Sequence, residues 1–206
     1  MKIKSLGAIK QLLVWCLLVG TLASCGKDDD PTPLAELDYA PVTKGSTWSY
    51  IGARTYTQTS LGSTKNMNGK TYHEFENKEG SNTTLHYLHK EAGVYTTNGQ
   101  DPRMGNVEMT FLKEKEAVGA TWEQDLAVNG STSKYKFTLV GKNLTKTVEG
   151  KEYKEVIHIR LDVSILFMGQ TIPASSANYF YAKGVGLILS DFGSMGKISL
   201  KSYTIK

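Results

Sequence analysis

Between residues 157 and 165, apolar and polar side chains alternate without a break. Ile157, Ile159, Leu161, Val163 and Ile165 fall on one side, and His158, Arg160, Asp162 and Ser164 on the other. A period of two is that of a strand with one buried and one wet face. Residues 135–139 (YKFTL) and 197–201 (KISLK) alternate in the same way. The pairs Asn68-Gly69, Asn98-Gly99, Asn129-Gly130 and Glu149-Gly150 read as tight turns between such segments. No long window carries a helical stripe, and the best helical candidate, residues 112–118 (LKEKEAV), is short. The pattern predicts an all-β domain of about ten to thirteen antiparallel strands, and a sheet that wide must curl, close or fold over. A strongly curved antiparallel sheet or barrel is expected, with a β-sandwich as the alternative.

Three short segments recur in the same order. Gly45-Ser46-Thr47-Trp48 returns as Gly119-Ala120-Thr121-Trp122, residues 68–72 (NGKTY) as 149–153 (EGKEY), and residues 90–94 (KEAGV) as 183–187 (KGVGL). The spacing between copies widens along the chain, as insertions in the second copy would make it. Two related halves, residues 44–97 and 118–190, are therefore expected inside one β-rich domain of residues 38–206.

The first 24 residues are of another kind. Lys2, Lys4 and Lys10 precede an apolar run, residues 11–21 (QLLVWCLLVGT), which ends at Leu22-Ala23-Ser24-Cys25. The run is too short to span a bilayer comfortably, and small residues follow it, so it reads as a cleaved signal peptide over residues 1–24. The L-A-S-C tetrapeptide resembles the lipobox of bacterial lipoproteins. That resemblance implies that Cys25 is lipidated and becomes the first residue of the mature chain, which meets the membrane through its acyl chains. Lys27-Asp28-Asp29-Asp30 resembles the surface-export signal of Bacteroidota lipoproteins, which implies an outer-membrane, cell-surface location. A place on the periplasmic face is the alternative, with the acids acting only as a solvated spacer. Residues 25–37 then form an acidic, proline-containing tether.

Charge and cysteine content narrow the function classes. Loss of Lys2, Lys4 and Lys10 with the leader reduces 24 basic residues to 21, against 20 acidic ones, so the mature chain is nearly neutral. No electrostatic case for nucleic-acid binding remains. Of the two cysteines, Cys16 leaves with the leader and Cys25 carries the lipid, so no thiol is left for a disulfide, a zinc site or a nucleophile.

Residues 44–50 (KGSTWSY) and 179–188 (YFYAKGVGLI) resemble the opening and closing segments of β-rich bacterial lipoproteins, a resemblance that implies an extracytoplasmic β-domain and no particular activity. The aromatic residues in and beside these motifs carry two readings. Trp48 and Trp122 are expected to be core residues near the starts of two related strands. With Tyr179 and Tyr181 they are also the candidates for a ligand-stacking platform.

His86 and His89 lie three apart and would point to opposite faces of a strand, so no metal site is expected and solvated strand histidines are the default. Glu108, Glu123, Asp125 and Asp162 are carboxylates without distinguishing context. Nucleophile-elbow, phosphate-loop and dinucleotide patterns are absent, and no cofactor is expected. The reading favoured is a non-catalytic binding or accessory module of the envelope, taking a glycan, a peptide or an apolar small molecule. An adhesin or a subunit of an envelope complex is the alternative, and a glycan-active hydrolase comes third.

Overall fold

The computed structural model describes residues 37–101, 105–128 and 131–206. The leader, Cys25 and the Lys27–Asp30 segment lie outside the described residues, as does Asn129-Gly130. Twelve strands follow one another: β1 (Thr47–Gly52), β2 (Tyr56–Met67), β3 (Lys70–Glu79), β4 (Asn82–Glu91), β5 (Val94–Asp101), β6 (Gly105–Lys113), β7 (Thr121–Val128), β8 (Ser131–Val148), β9 (Lys151–Phe167), β10 (Gln170–Ala182), β11 (Gly186–Asp191) and β12 (Lys197–Thr204). Among the described residues the only helical turn is a single 3-10 turn at Gly193–Met195. The fold is all-β, as the alternation predicts.

All twelve strands belong to one sheet in the order β6-β5-β4-β3-β2-β1-β12-β11-β10-β9-β8-β7. The chain makes two six-strand meanders, and β1 pairs antiparallel with β12 to join them. The sheet curls until its edges, β6 and β7, approach, giving a barrel that is nearly closed. Side chains bridge this last seam. Trp122 Nε1 donates to the Thr110 carbonyl at 2.8 Å, and Gln124 Nε2 donates to the Glu108 carbonyl.

The recurring segments take matching places in the two meanders. Trp48 and Trp122 are the second residues of β1 and β7. Asn68-Gly69 and Glu149-Gly150 make the β2–β3 and β8–β9 turns, each with positive φ at both positions (51° and 76°, 48° and 76°). That conformation suits a two-residue hairpin whose twist matches its strands. Residues 92–93 and 183–185 turn β4 into β5 and β10 into β11.

Local sequence sets other features. Pro173 lacks an N–H for the β9 ladder, and the β10 register shifts beside it. In β9, Ile157, Ile159 and Leu161 are buried as their alternation predicts, while Ile165 emerges near the hairpin tip. At that tip Leu166, Phe167 and Met168 are exposed, Met168 to 88%.

Two sequence expectations are corrected. Residues 112–118 are not helical: Leu112 and Lys113 end β6, with Leu112 fully buried, and a turn follows. The segment has too few residues to repay helix nucleation, and packing of Leu112 decides for the strand. Asn98-Gly99 is not a turn but lies inside β5, where Asn98 pairs with Tyr87 on one side and Glu108 on the other. Ladders on both flanks override the local turn preference.

The chain ahead of β1 forms a strap across one end of the barrel. Asp38 holds it there. Its side chain accepts from the Ala40 N–H at 2.8 Å and pairs with Lys90, and its carbonyl accepts from the Gly184 N–H at 2.7 Å. Tyr39 is buried behind it and packs into the barrel.

Candidate functional site: a cavity inside the barrel

The inner face of the sheet encloses a cavity of about 330 Å³. Its wall follows from strand periodicity. Trp48 and Tyr50, Tyr56 and Gln58, Phe75 and Asn77, His86 and Leu88, Met109 and Phe111, and Tyr179 and Tyr181 each contribute as residues i and i+2 of one strand. Thr97, Phe137, Leu161 and Leu187 complete it, and Tyr39, Ala40 and Pro41 of the strap close one end. Trp48, Tyr50, Phe75, Leu88, Phe137 and Tyr181 are buried. Tyr56, Gln58, Asn77, His86, Thr97, Met109 and Tyr179 are only half-buried.

Two segments singled out in the sequence meet in this wall. Trp48 Nε1 donates to the Val185 carbonyl at 2.7 Å, and the Tyr50 hydroxyl donates to the Leu187 carbonyl at 3.0 Å. These bonds satisfy the polar ends of both rings and leave their apolar bodies to the cavity. Tyr50 stacks on Tyr56 with ring centroids 4.8 Å apart. Burial pushes the Tyr56 phenol up to about 12 and those of Tyr50 and Tyr181 well above the usual value, so these hydroxyls stay neutral donors.

The polar side chains other than the tyrosine hydroxyls sit on one side, contributed by β2 to β5. Gln58 Nε2 donates to Asn77 Oδ1 at 3.0 Å. Thr97 Oγ1 lies 3.2 Å from His86 Nδ1 and donates to the Tyr87 carbonyl at 3.3 Å. Burial alone lowers His86 to about 4, which makes it a neutral imidazole at neutral pH. Its residual exposure is to the cavity it lines. His86 is thus not the solvated strand histidine that its sequence context suggests. Among the described residues lining the cavity, none is Asp, Glu, Lys or Arg.

Of the aromatic candidates, Trp48, Tyr179 and Tyr181 come together in this wall. Trp122 does not join them. It stacks on Phe137 with centroids 5.6 Å apart and planes 7° from parallel, backing the wall at the β6–β7 seam. With Trp48 only 3% exposed and Tyr181 buried, the four do not form an external platform.

The other candidates are engaged elsewhere. His89 Nδ1 lies 3.0 Å from the Thr71 carbonyl, and His158 Nε2 lies 2.8 Å from Asn178 Oδ1 with its ring stacked on Phe180. Among the described residues no three His, Cys, Asp or Glu side chains cluster as a metal site. Burial pushes Glu108 up, but hydrogen bonds from Lys70 and Tyr72 outweigh it and hold the carboxyl below its ordinary value. Glu123 and Asp125 share Lys134, Asp162 pairs with Arg160, and none of the four carboxylates lines the cavity.

A second recess of about 610 Å³ lies outside the strap, among Asp38, Lys90, Glu114, Lys142 and Lys183. It is larger, but its Lys90 and Lys183 are matched by Asp38 and Glu155, the latter at 3.9 Å, so it offers no concentrated charge. The barrel cavity is the better formed site, because it is apolar, walled by aromatic rings and supplied with a few convergent polar groups.

Sequence reasoning missed Gln58, Asn77 and Thr97, and it named His86 only as a solvated strand histidine. The available signal was their place on alternating strands, which does not tell the inner face from the outer one for polar residues. No family model matches this chain, and neither a curated protein nor a solved structure matches it.

Proposed function

We propose that this chain is a lipid-anchored, non-catalytic binding protein of the bacterial envelope that holds a small apolar molecule inside its barrel. The aromatic-walled cavity of about 330 Å³ carries the reading, since it falls within the roughly 300–1,000 Å³ range of small-molecule sites. Of the three ligand classes open from the sequence, a glycan would need more hydrogen-bonding groups than one polar side provides. A peptide would need more room. The anchor rests on the lipobox resemblance at Cys25, and the outer-membrane, surface-exposed location on Lys27-Asp28-Asp29-Asp30.

Titration of the full chain with 1-naphthylamine, a neutral two-ring fluorophore, tests the reading. Saturable binding at one site is expected, and Leu161→Trp, which fills the cavity, should remove it while the protein stays folded by circular dichroism. Absence of saturable binding, or binding indifferent to Leu161→Trp, would sink it.

One observation favours the second reading, an adhesin or a subunit of an envelope complex. Ile165, Leu166, Phe167, Met168 and Ile172 expose apolar surface at the β9–β10 tip.

A further inference from the structure

The distribution of polar groups inside the cavity narrows what it can hold, an inference that rests on the receptor reading above. A charged ligand would lose its hydration and gain no counter-ion, because no Asp, Glu, Lys or Arg is among the described lining residues. The walls from β1, β8, β9, β10 and β11 offer chiefly rings and aliphatic groups: the hydrogen-bonding ends of Trp48 and Tyr50 are engaged by backbone carbonyls, and the hydroxyls of Tyr179 and Tyr181 are the other side-chain polar atoms there. That surface suits a flat apolar body. A cavity of about 150 Å³ accommodates benzene, so 330 Å³ has room for about two rings.

Hydrogen-bond accounting identifies the chemistry of the polar end. Thr97 spends its proton on the Tyr87 carbonyl, so its oxygen is left to accept from His86. A neutral imidazole has one N–H and one lone pair. With the N–H directed at Thr97, the second ring nitrogen is an acceptor. Among the described residues its only polar neighbour is the same Thr97 oxygen, at 3.5 Å. Neutrality of His86, kept by burial, preserves that acceptor at physiological pH. Beside it, Gln58 and Asn77 bond each other through one donor and one acceptor, leaving the Gln58 carbonyl as a further acceptor and the Asn77 amide N–H groups as donors to the oxygen of a hydroxyl.

We propose that the barrel cavity takes a neutral, flat molecule of about two rings bearing one hydroxyl or amino donor, which it presents to His86 while its rings lie between the aromatic walls. The neutral phenols and aryl amines are the chemical class this describes; fatty acids and other anionic amphiphiles are not.

Displacement of 1-naphthylamine from the full chain by naphthalene, 2-naphthol and 2-naphthoate tests it. Naphthol is expected to bind roughly fivefold to tenfold tighter than naphthalene, the increment of one hydrogen bond to an otherwise unmatched acceptor. Naphthoate should bind at least about tenfold weaker than naphthalene. His86→Phe should erase the naphthol advantage and retain naphthalene. Equal binding of naphthol and naphthalene, or naphthoate binding as tightly as naphthol, would overturn the ligand class while the receptor reading stands. If neither the fluorophore nor any of the three binds, the receptor reading itself fails. Should His86→Phe not fold, the ranking on the unaltered chain decides alone.

Discussion

The two meanders begin alike and end differently. Both open on Gly-x-Thr-Trp, and both turn at corresponding hairpins. Yet β1 finds β12 and forms a backbone ladder, whereas among the described residues β7 reaches β6 through the side chains of Trp122 and Gln124. The same motif therefore stands at two seams, one closed and one bridged. Trp48, at the closed seam, lies in the core with its indole N–H held by the Val185 carbonyl of the β10–β11 turn. Trp122, at the bridged seam, is only half-buried. The halves also divide the cavity unequally. Gln58, Asn77, His86 and Thr97 all come from the first meander, and the second supplies Phe137, Leu161, Tyr179, Tyr181 and Leu187. Local sequence similarity thus places a residue in a strand, but the partner strand decides what the residue does.

The largest expected effect is at the closed seam. Trp48→Ala should cost about 3–5 kcal/mol, much of a typical domain's stability, because it empties a core position and orphans the Val185 carbonyl. Urea unfolding measures it, and a loss below about 1 kcal/mol would mean that the closed seam does not depend on this ring.

Next is acidification, which should act on the first meander's polar side. Folding lowers the His86 pKa from 6.5 to about 4, so its contribution is fully present above the unfolded value and is lost as pH falls through the folded one. Stability should decline between about pH 6.5 and 4 by up to about 3 kcal/mol, and His86→Phe should flatten that part of the profile. An unchanged slope in the variant would assign the acid sensitivity to other groups.

The smallest effect belongs to the bridged seam. Trp122→Ala should cost about 2 kcal/mol, from partial burial and one hydrogen bond. It should also speed amide exchange in β6 and β7 more than in β1 and β12. Equal losses for Trp48→Ala and Trp122→Ala would erase the distinction between the seams.

How legible all this was in the sequence depends on the range of the interactions concerned. Alternation in β8, β9 and β12 exposed the strands, and Asn68-Gly69 and Glu149-Gly150 exposed their turns, because both signals are local. Asn98-Gly99 carried the same local signal and lies mid-strand, since ladders to β4 and β6 outweigh it. Trp48, Tyr179 and Tyr181 stood out as aromatic residues near motifs, and the cavity unites them. His86 stood out only for its spacing from His89, not as a cavity residue. Its neighbours in sequence describe an ordinary strand, and its environment is made by Phe75 on β3 and Thr97 on β5. Closure of the barrel was legible only as a requirement on a wide sheet, because the Trp122–Thr110 bond joins side chain to backbone and leaves no periodic trace.

The joining of β1 to β12 also bears on how the chain reaches this state. Every other ladder connects consecutive strands, so each meander can zip from its turns with small loop closures. The β1–β12 ladder alone requires the two ends of the domain to find each other, and that search carries the chief entropic barrier. The ends finish side by side, with the Lys206 N–H donating to Ser46 Oγ at 3.1 Å. A circular permutant that links Lys206 to the strap and opens the chain at residues 114–119 would turn this ladder into one more hairpin, since β12 would lead directly into β1. Its contact order would fall, and stopped-flow refolding should be faster than that of the parent chain, with the barrel and its cavity unchanged.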